Sequence, residues 1–391
     1  MVAWGLKSRG QQPIGLDIGH NSIKMIQLTI NAGHIGVLAA EKVRVDPSIN
    51  GNEQERRSFV ISAIKQMVAQ GGFRGRNVVS CLPNDKLKIT SLRLTETGTN
   101  QMEQALRKEA TQRFGLAPDK DAIDYLFAGS VKQGDEIKSE LILFAADGEA
   151  IKNHIEMLEE AQIRPVAIDT VPCALFRNFE RSLRRQEDKE HTAVFVDVGS
   201  SFTTVVFARG GEISFAKQIP IGGASFNREI ASKLAVTSNE AEMLRGTIRT
   251  EHYTSAERGP EEPLCSSGQG LDASTRQVII DAVGAVAEEL AREISLCFRY
   301  YTVTFRGRRV ERAVFTGGEA YERILLNVLK RQLTVEIEVA QPLRGFDMMN
   351  VTFDSDRRGL LCEWAVAVGL SLKDLKKTSA GDKRRNNYER N

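Results

Sequence analysis

Ile14-Gly15-Leu16-Asp17-Ile18-Gly19-His20-Asn21-Ser22-Ile23-Lys24-Met25-Ile26-Gln27-Leu28 is an apolar run that meets Asp-x-Gly, crosses a short polar loop and returns as a second strand toward the turn Asn31-Ala32-Gly33-His34. The same pattern returns far along the chain as Val194-Phe195-Val196-Asp197-Val198-Gly199-Ser200-Ser201-Phe202-Thr203-Thr204-Val205-Val206-Phe207, followed by the turn Arg209-Gly210-Gly211-Glu212. Strand, Asp-x-Gly, loop, β-branched strand and turn make an antiparallel meander in both places. Either copy alone reads as an ordinary hairpin turn; the pair predicts two lobes that each open on the same motif.

Outward from this pair, the segments arrange themselves. Residues 56–70 carry Phe59, Val60, Ala63, Ile64, Met67 and Val68 at helical spacing and close on Gly71-Gly72. A strand over 86–94, a helix over 99–113, a hairpin of 122–131 and 137–146, a helix over 148–161 and a strand over 164–169 follow. That β-α-β-β-α-β order predicts a ferredoxin-like unit inserted in the first lobe. The polar run 180–191 marks the hand-over between lobes. In the second lobe, helices are expected over 225–234 and 237–246, the latter opened by the capping box Thr237-x-x-Glu240. A loop rich in Gly, Ser, Glu and Pro is expected over 247–274, a long helix over about 275–302, a strand over 312–316, a helix from about Ala320, and a solvated tail after Lys373. The domain division is therefore 1–85 with 165–188 and about 340–375 for the first lobe, 86–164 for the insert, 189–224 and 275–339 for the second lobe, 225–274 for a covering subdomain and 376–391 for the tail.

Composition excludes several functions. In 391 residues, 53 Lys and Arg stand against 51 Asp and Glu, and this net charge of +2 makes no electrostatic case for nucleic acid as partner. The five cysteines, Cys81, Cys173, Cys265, Cys297 and Cys362, never form a C-x-x-C pair, so neither a disulfide framework nor a zinc site is expected. Residues 1–13 carry Lys7 and Arg9 with no apolar core behind them, and no uncharged apolar run reaches the length of a membrane span, so neither a signal peptide nor a span is expected. No H-E-x-x-H motif and no G-x-x-x-x-G-K-[ST] loop occurs.

The two Asp-x-Gly loops, brought face to face, offer what a nucleoside triphosphate with magnesium requires. Gly19 and Gly199 let backbone N–H groups come close to phosphate oxygens, and Asn21, Ser22, Ser200 and Ser201 add short polar donors, with Lys24 and Thr203 at the start of each returning strand. His20 is bulkier than such a loop usually holds. Asp17 and Asp197 would hold Mg²⁺ through its waters, since that ion gives up hydration reluctantly. Thr316-Gly317-Gly318-Glu319, a strand end with paired glycines, would let an adenine or its α-phosphate lie on backbone, and Glu242 and Arg245, three apart on one helix face, could reach a ribose.

In this order, the two Asp-x-Gly turns, the Glu242/Arg245 helix and the Gly317-Gly318 pair resemble the superfamily of actin, the sugar kinases and the DnaK chaperones, an α/β ribonuclease H-like fold. The finer texture, with Ile14-Gly-Leu-Asp-Ile-Gly19, Ile163-Arg-Pro-Val-Ala-Ile-Asp169 and Gln218-Ile-Pro-Ile-Gly-Gly223, is similar to the PilM family of type IV pilus assembly proteins and, more distantly, to FtsA. The resemblance spans residues 13 to about 375 and implies ATP with Mg²⁺ between the lobes. It further implies a cytoplasmic protein held at the inner membrane by the N-terminal peptide of a PilN-like membrane protein, docked between the insert and the first lobe. Self-association is left open. The alternatives are an FtsA-like membrane filament and a small-molecule kinase of the same superfamily. Where efficient ATPases of the superfamily place a Glu or Gln before a proline to orient water, this chain has Val171 before Pro172, and Asp169 or Thr170 would have to serve instead. Slow turnover at most is expected.

Overall fold

The computed structural model describes residues 10–31, 34–95, 99–117, 119–133, 136–182, 191–257, 271–305, 309–349, 351–353 and 361–373. The first meander is β1 (Gln11–Ile18), β2 (Ser22–Asn31) and β3 (His34–Arg44), with Asp17 opposite Lys24 across the first pair. Helix α1 (Glu53–Gln70) begins on Asn52, whose side chain accepts from the Gln54 and Glu55 amides, and buries Val60, Ala63, Ile64, Met67 and Val68. Strand β4 (Asn77–Cys81) lies parallel to β1. There follow β5 (Leu87–Thr95), α2 (Thr99–Phe114), β6 (Ala122–Gln133), β7 (Glu136–Ala146), α3 (Gly148–Glu160), β8 (Arg164–Asp169) and α4 (Val171–Phe179).

The second half repeats the plan with β9 (Ala193–Val198), β10 (Thr203–Arg209), β11 (Glu212–Ile219), α5 (Gly223–Leu234), α6 (Ser238–Glu257), α7 (Ala273–Thr304), β12 (Arg312–Thr316), α8 (Arg323–Gln332), β13 (Glu336–Val339) and α9 (Ala365–Ser371). The sheet orders are β3-β2-β1-β4-β8 and β11-β10-β9-β12-β13, the same position for position. In each, the meander is antiparallel and two parallel strands continue beyond it. The duplication is thus a whole five-stranded sheet, of which only the meander repeats visibly in sequence.

An inserted subdomain is present, but the six elements expected over 86–169 are divided between two places. Its sheet is β5-β7-β6, covered on the outside by α2, whose Leu106 and Ala110 pack on Leu92, Leu141 and Leu143. Its inner face, with Leu87, Ile142 and Phe144, packs against Phe195, Val206 and Ala216 of the second lobe. With both faces of that sheet occupied, α3 and β8 go elsewhere: β8 pairs with β4, and Leu158, Ala161 and Ile163 join Ile14, Leu16, Val60 and Ile64 in the first lobe's core.

Two further expectations are corrected. The loop expected from 247 does not begin there: α6 runs on to Glu257, because residues 247–257 contain neither Gly nor Pro and Ile248 is buried in the second lobe's core. The helix expected from Ala320 begins at Arg323, after a turn. The tail beyond Lys373, most of the polar hand-over (183–190) and the remainder of the expected loop (258–270) lie outside the described residues.

Helices α4 and α9 lie between the two sheets, where Ala174, Leu175, Val366 and Leu370 share one core with Val79, Phe195 and Val314. Their approach is close. A Cβ at Gly15 would strike the Ala367 carbonyl, and one at Gly369 the Ala174 carbonyl. The Ser371 hydroxyl donates to Pro13 O at 2.8 Å and accepts the Leu28 amide at 3.2 Å.

Candidate functional site

Strands β1 and β9 both end at the interface between the lobes, so their loops face each other. In both, the glycine amide closes the turn on a carbonyl three residues on: Gly19 N to Ser22 O and Gly199 N to Phe202 O, each 3.0 Å. Across the gap, Ser200 Oγ donates to Asn21 Oδ1 at 3.1 Å. Arg56, from α1, donates to the Gly19 carbonyl at 2.8 Å and the His20 carbonyl at 3.2 Å, bracing the first loop from behind. Burial and the nearby Arg56 cation hold the His20 pKa below its ordinary value, so the imidazole is neutral at pH 7.

The cleft so formed has a volume of about 1950 Å³, and both Asp17 and Asp197 line it. Their settings differ. Asp17 pairs with Lys24 at 3.0 Å. Burial opposes the Lys24 charge, but the carboxylates of Asp17, Glu363 and Asp197 outweigh it and raise its pKa. The residue opposite Asp197 is Thr204, whose buried hydroxyl makes no hydrogen bond. Desolvation, then repulsion from Asp17, pushes the Asp197 carboxyl up to about 7, with Lys24 only partly offsetting them. At the two Asp-x-Gly turns the cleft therefore brings together the carboxyl groups of Asp17 and Asp197 and the Lys24 ammonium, with further charged side chains such as Arg56, Glu242 and Glu363 around them. Among the described residues there is no group of three or more His, Cys, Asp or Glu side chains that could hold a metal ion.

The third wall comes from the end of β12. Gly317 has φ +93°, and a side chain there would collide with the Val198 carbonyl and the Asp197 carboxylate. At Gly318 a Cβ would meet only open space. The fourth wall is α6, opened by the capping box, in which Glu240 accepts from the Thr237 amide at 2.8 Å and Thr237 Oγ1 accepts from the Glu240 amide at 3.3 Å. Arg245 does not extend into the cleft as a free cation. It is 3 % exposed, donates to Gly223 O at 3.0 Å and to the Glu319 carboxylate, and lies 3.6 Å from Glu322. Burial works against the charges of Arg245 and Glu319, yet their mutual attraction holds the arginine pKa up and the carboxylate pKa down.

Of the residues singled out from sequence, Asp17, Gly19, His20, Asn21, Ser22, Lys24, Asp197, Gly199, Ser200, Ser201, Glu242, Arg245, Gly317, Gly318 and Glu319 all line this cleft. Thr203 stands apart: it is fully buried, and its hydroxyl donates to Ile221 O at 2.7 Å. Among the lining residues that sequence reasoning passed over, Arg249, Asn227 and Arg44 stand at the α6 side of the cleft. Arg249 donates to Gly318 O at 3.1 Å and lies 3.4 Å from Glu319. It was detectable as the next turn of the Glu242/Arg245 face, had α6 been carried past 246. Asn227 keeps a buried side-chain oxygen without a partner, while its amide reaches Glu242 at 3.5 Å. Arg44 crosses from the first lobe to Glu242 at 2.7 Å. No sequence signal marks either of these two.

Two sheets of matching strand order, each delivering a carboxylate-bearing turn to one interlobe cleft, define an actin-like fold. A family model described as Type IV pilus assembly protein PilM matches residues 15–254, and the chain belongs to that family. A solved structure described as the PilM-PilN type IV pilus biogenesis complex is similar with a TM-score of 0.73 and 22% identity, covering 92% of this chain and 98% of that one. The ethanolamine utilization protein EutJ from Carboxydothermus hydrogenoformans is similar with a TM-score of 0.50 and 14% identity, over 93% of this chain and 89% of EutJ. Cell division protein FtsA of Streptococcus pneumoniae is 22% identical over 253 residues, 59% of this chain and 54% of FtsA. The chain spans about half the length of the curated relatives it matches.

Proposed function

We propose that this chain is an ATP-binding scaffold of a type IV pilus assembly platform, in which nucleotide is a structural ligand. The observation that carries this reading is the uneven electrostatics of the cleft: Lys24 pairs directly with Asp17 and only partly offsets the repulsion that Asp17 exerts on the buried Asp197, beside the open space at Gly318. That donor set fits hydrated Mg²⁺ on a triphosphate, since two carboxylates and phosphate oxygens suffice for an ion that keeps several waters. Asp17 and Asp197 would hold the ion, the 19–22 and 199–202 loops the phosphates, and Glu242 with the Asn227 oxygen would accept from sugar hydroxyls. When bound, the ion would offset part of the negative charge of the carboxylates and phosphates.

Hydrolysis is disfavoured by the residues at the end of the first lobe. Val171, apolar, lines the cleft. Asp169 is committed to Arg177 at 2.8 Å, Lys373 at 3.2 Å and the Thr170 amide at 2.8 Å, and Thr170 Oγ1 caps α4 on the Cys173 amide. Neither is placed to accept a proton from water. The likeness to the PilM-PilN complex supports docking of a short peptide from a PilN-like inner-membrane protein, between the insert and the first lobe. Such a partner would hold the chain at the membrane, and no helix among the described residues is long and apolar enough to cross one.

The test is thermal melting with and without Mg-ATP, combined with phosphate release. Nucleotide at a hundredfold excess over Kd should stabilise the protein by about 2.7 kcal/mol. Asp17→Ala and Gly318→Val should lose this shift, and phosphate release should remain near background. Superimposable melts of the unaltered protein with and without nucleotide would remove the reading.

A further inference from the structure

The insert enters and leaves through the first lobe's chain, by residues 82–86 and 146–148, yet its strands pack chiefly on β11 of the second lobe. Val131 shares a core with Tyr301 and Phe305 of α7, and Leu87, Ile142 and Phe144 lie in the central core that also holds Val79 and Ala174 of the first lobe, while the strands β5, β6 and β7 themselves pack on β11. A polar staple reinforces this. Glu140 is 1 % exposed and accepts from Arg93 Nε at 2.7 Å and from the Tyr300 hydroxyl at 2.8 Å, while Arg93 Nη2 donates to Thr304 Oγ1 at 2.8 Å. Arg93 and Glu140 both belong to the insert, so it is the bonds to Tyr300 and Thr304 that tie this buried pair to α7, and breaking them would leave the Glu140 carboxylate short of a donor. Even the first connection leans the same way, with Gln218 Nε2 of β11 donating to Asn84 Oδ1 at 2.9 Å. The contact with α3 is local to the second connection, where the Gly148 amide donates to Asp121 Oδ1 at 3.0 Å.

We propose that the insert moves as one body with the second lobe, so that closure of the lobes on a ligand shifts it against α1 and α3 and reshapes the groove between insert and first lobe. This rests on the reading above, in which the cleft takes nucleotide and that groove takes a peptide. The connections at 82–86 and 146–148 are the hinges, and the Glu140 cluster is the coupler. Linkage then makes the effect reciprocal: occupancy of the groove biases closure as much as closure biases the groove.

Nitroxide labels introduced through an unnatural amino acid at exposed positions Ser62 (first lobe), Gln104 (insert) and Glu289 (second lobe) give the three pairwise distances in the full chain. On adding Mg-ATP, the insert to second lobe distance should hold still while the insert to first lobe distance shifts together with the lobe to lobe distance. Tyr300→Phe, a mild substitution, and Glu140→Gln should each broaden the insert to second lobe distribution. An insert that keeps its distance to the first lobe while the lobes move, or three unmoved distances in protein whose melting shift proves that nucleotide is bound, would overturn the proposal. If nucleotide gives no melting shift, the functional reading fails and the widths in ligand-free protein still decide. The insert to second lobe distribution must then be the narrower of the two insert distributions, and equal or reversed widths overturn the coupling.

Discussion

Asp17 and Asp197 occupy equivalent places in the two sheets, but cross-strand neighbours make them electrostatically unequal, Lys24 in one case and Thr204 in the other. The consequence is a pH-dependent cost. The Asp197 carboxyl is raised to about 7 in the folded chain, against about 4 in an unfolded one, so between those values the native state keeps a proton that the unfolded state has shed. Stability from this group therefore falls as pH rises through that window and is lowest above it. Asp197→Asn should make the ligand-free protein more stable at pH 8 by roughly 1–3 kcal/mol, with the gain fading toward pH 4. Denaturant unfolding at the two pH values measures it, and no gain at pH 8 would contradict the assigned electrostatics. Both carboxylates and their loops were readable in sequence because a strand running into Asp-x-Gly is a local pattern. The burial of Arg245 was not, because its partners Glu319 and Glu322 come from another part of the chain.

The element that ties the molecule together is α9, a short apolar helix between β1 and α4. Its Gly369 admits the Ala174 carbonyl so closely that any side chain would force the helices apart, as would one at Gly15 against Ala367. Gly369→Ala should destabilise by about 1–3 kcal/mol through overpacking. Gly284→Ala, on α7 where a new methyl meets nothing within 4 Å, should stabilise by about 0.5–1 kcal/mol through helix propensity. Melting curves of the two variants should move in opposite directions, and a shared direction would refute the packing argument. The amphipathic helices α1 and α2 and the strands of the meanders were readable from periodicity. Helix α9 was not, because residues 365–371 are buried all round and carry no polar face to set a period.

At the scale of the whole molecule, the lobes are held by a shared core and by a few polar contacts at the mouth of the cleft. Arg44 to Glu242 is one of them, with the arginine side chain 73% exposed, so it is worth little in stability, yet it bridges the first lobe to α6 and both residues line the cleft. If the cleft takes nucleotide as proposed, Arg44→Ala should speed release of a bound fluorescent nucleotide by about two- to fivefold at low salt, corresponding to an exposed ion pair of under about 1 kcal/mol. The difference should vanish at about 1 M salt, where screening acts within about 3 Å. Stopped-flow displacement measures both, and equal release rates at low salt would show that the pair does not gate the cleft.

By itself, the sequence determined that there are two lobes, that each opens on a carboxylate-bearing meander, and which loops would carry the chemistry, since strand alternation, helical spacing and tight turns are properties of neighbouring residues. Only the tertiary structure decided that α3 leaves the insert for the first lobe, that Arg245 lines the cleft as a buried, ion-paired group alongside Arg44, Asn227 and Arg249, and that the insert sits on α7. Those outcomes depend on which apolar faces remain uncovered once the sheets have formed, and on charges brought together from distant parts of the chain, neither of which a local pattern can record.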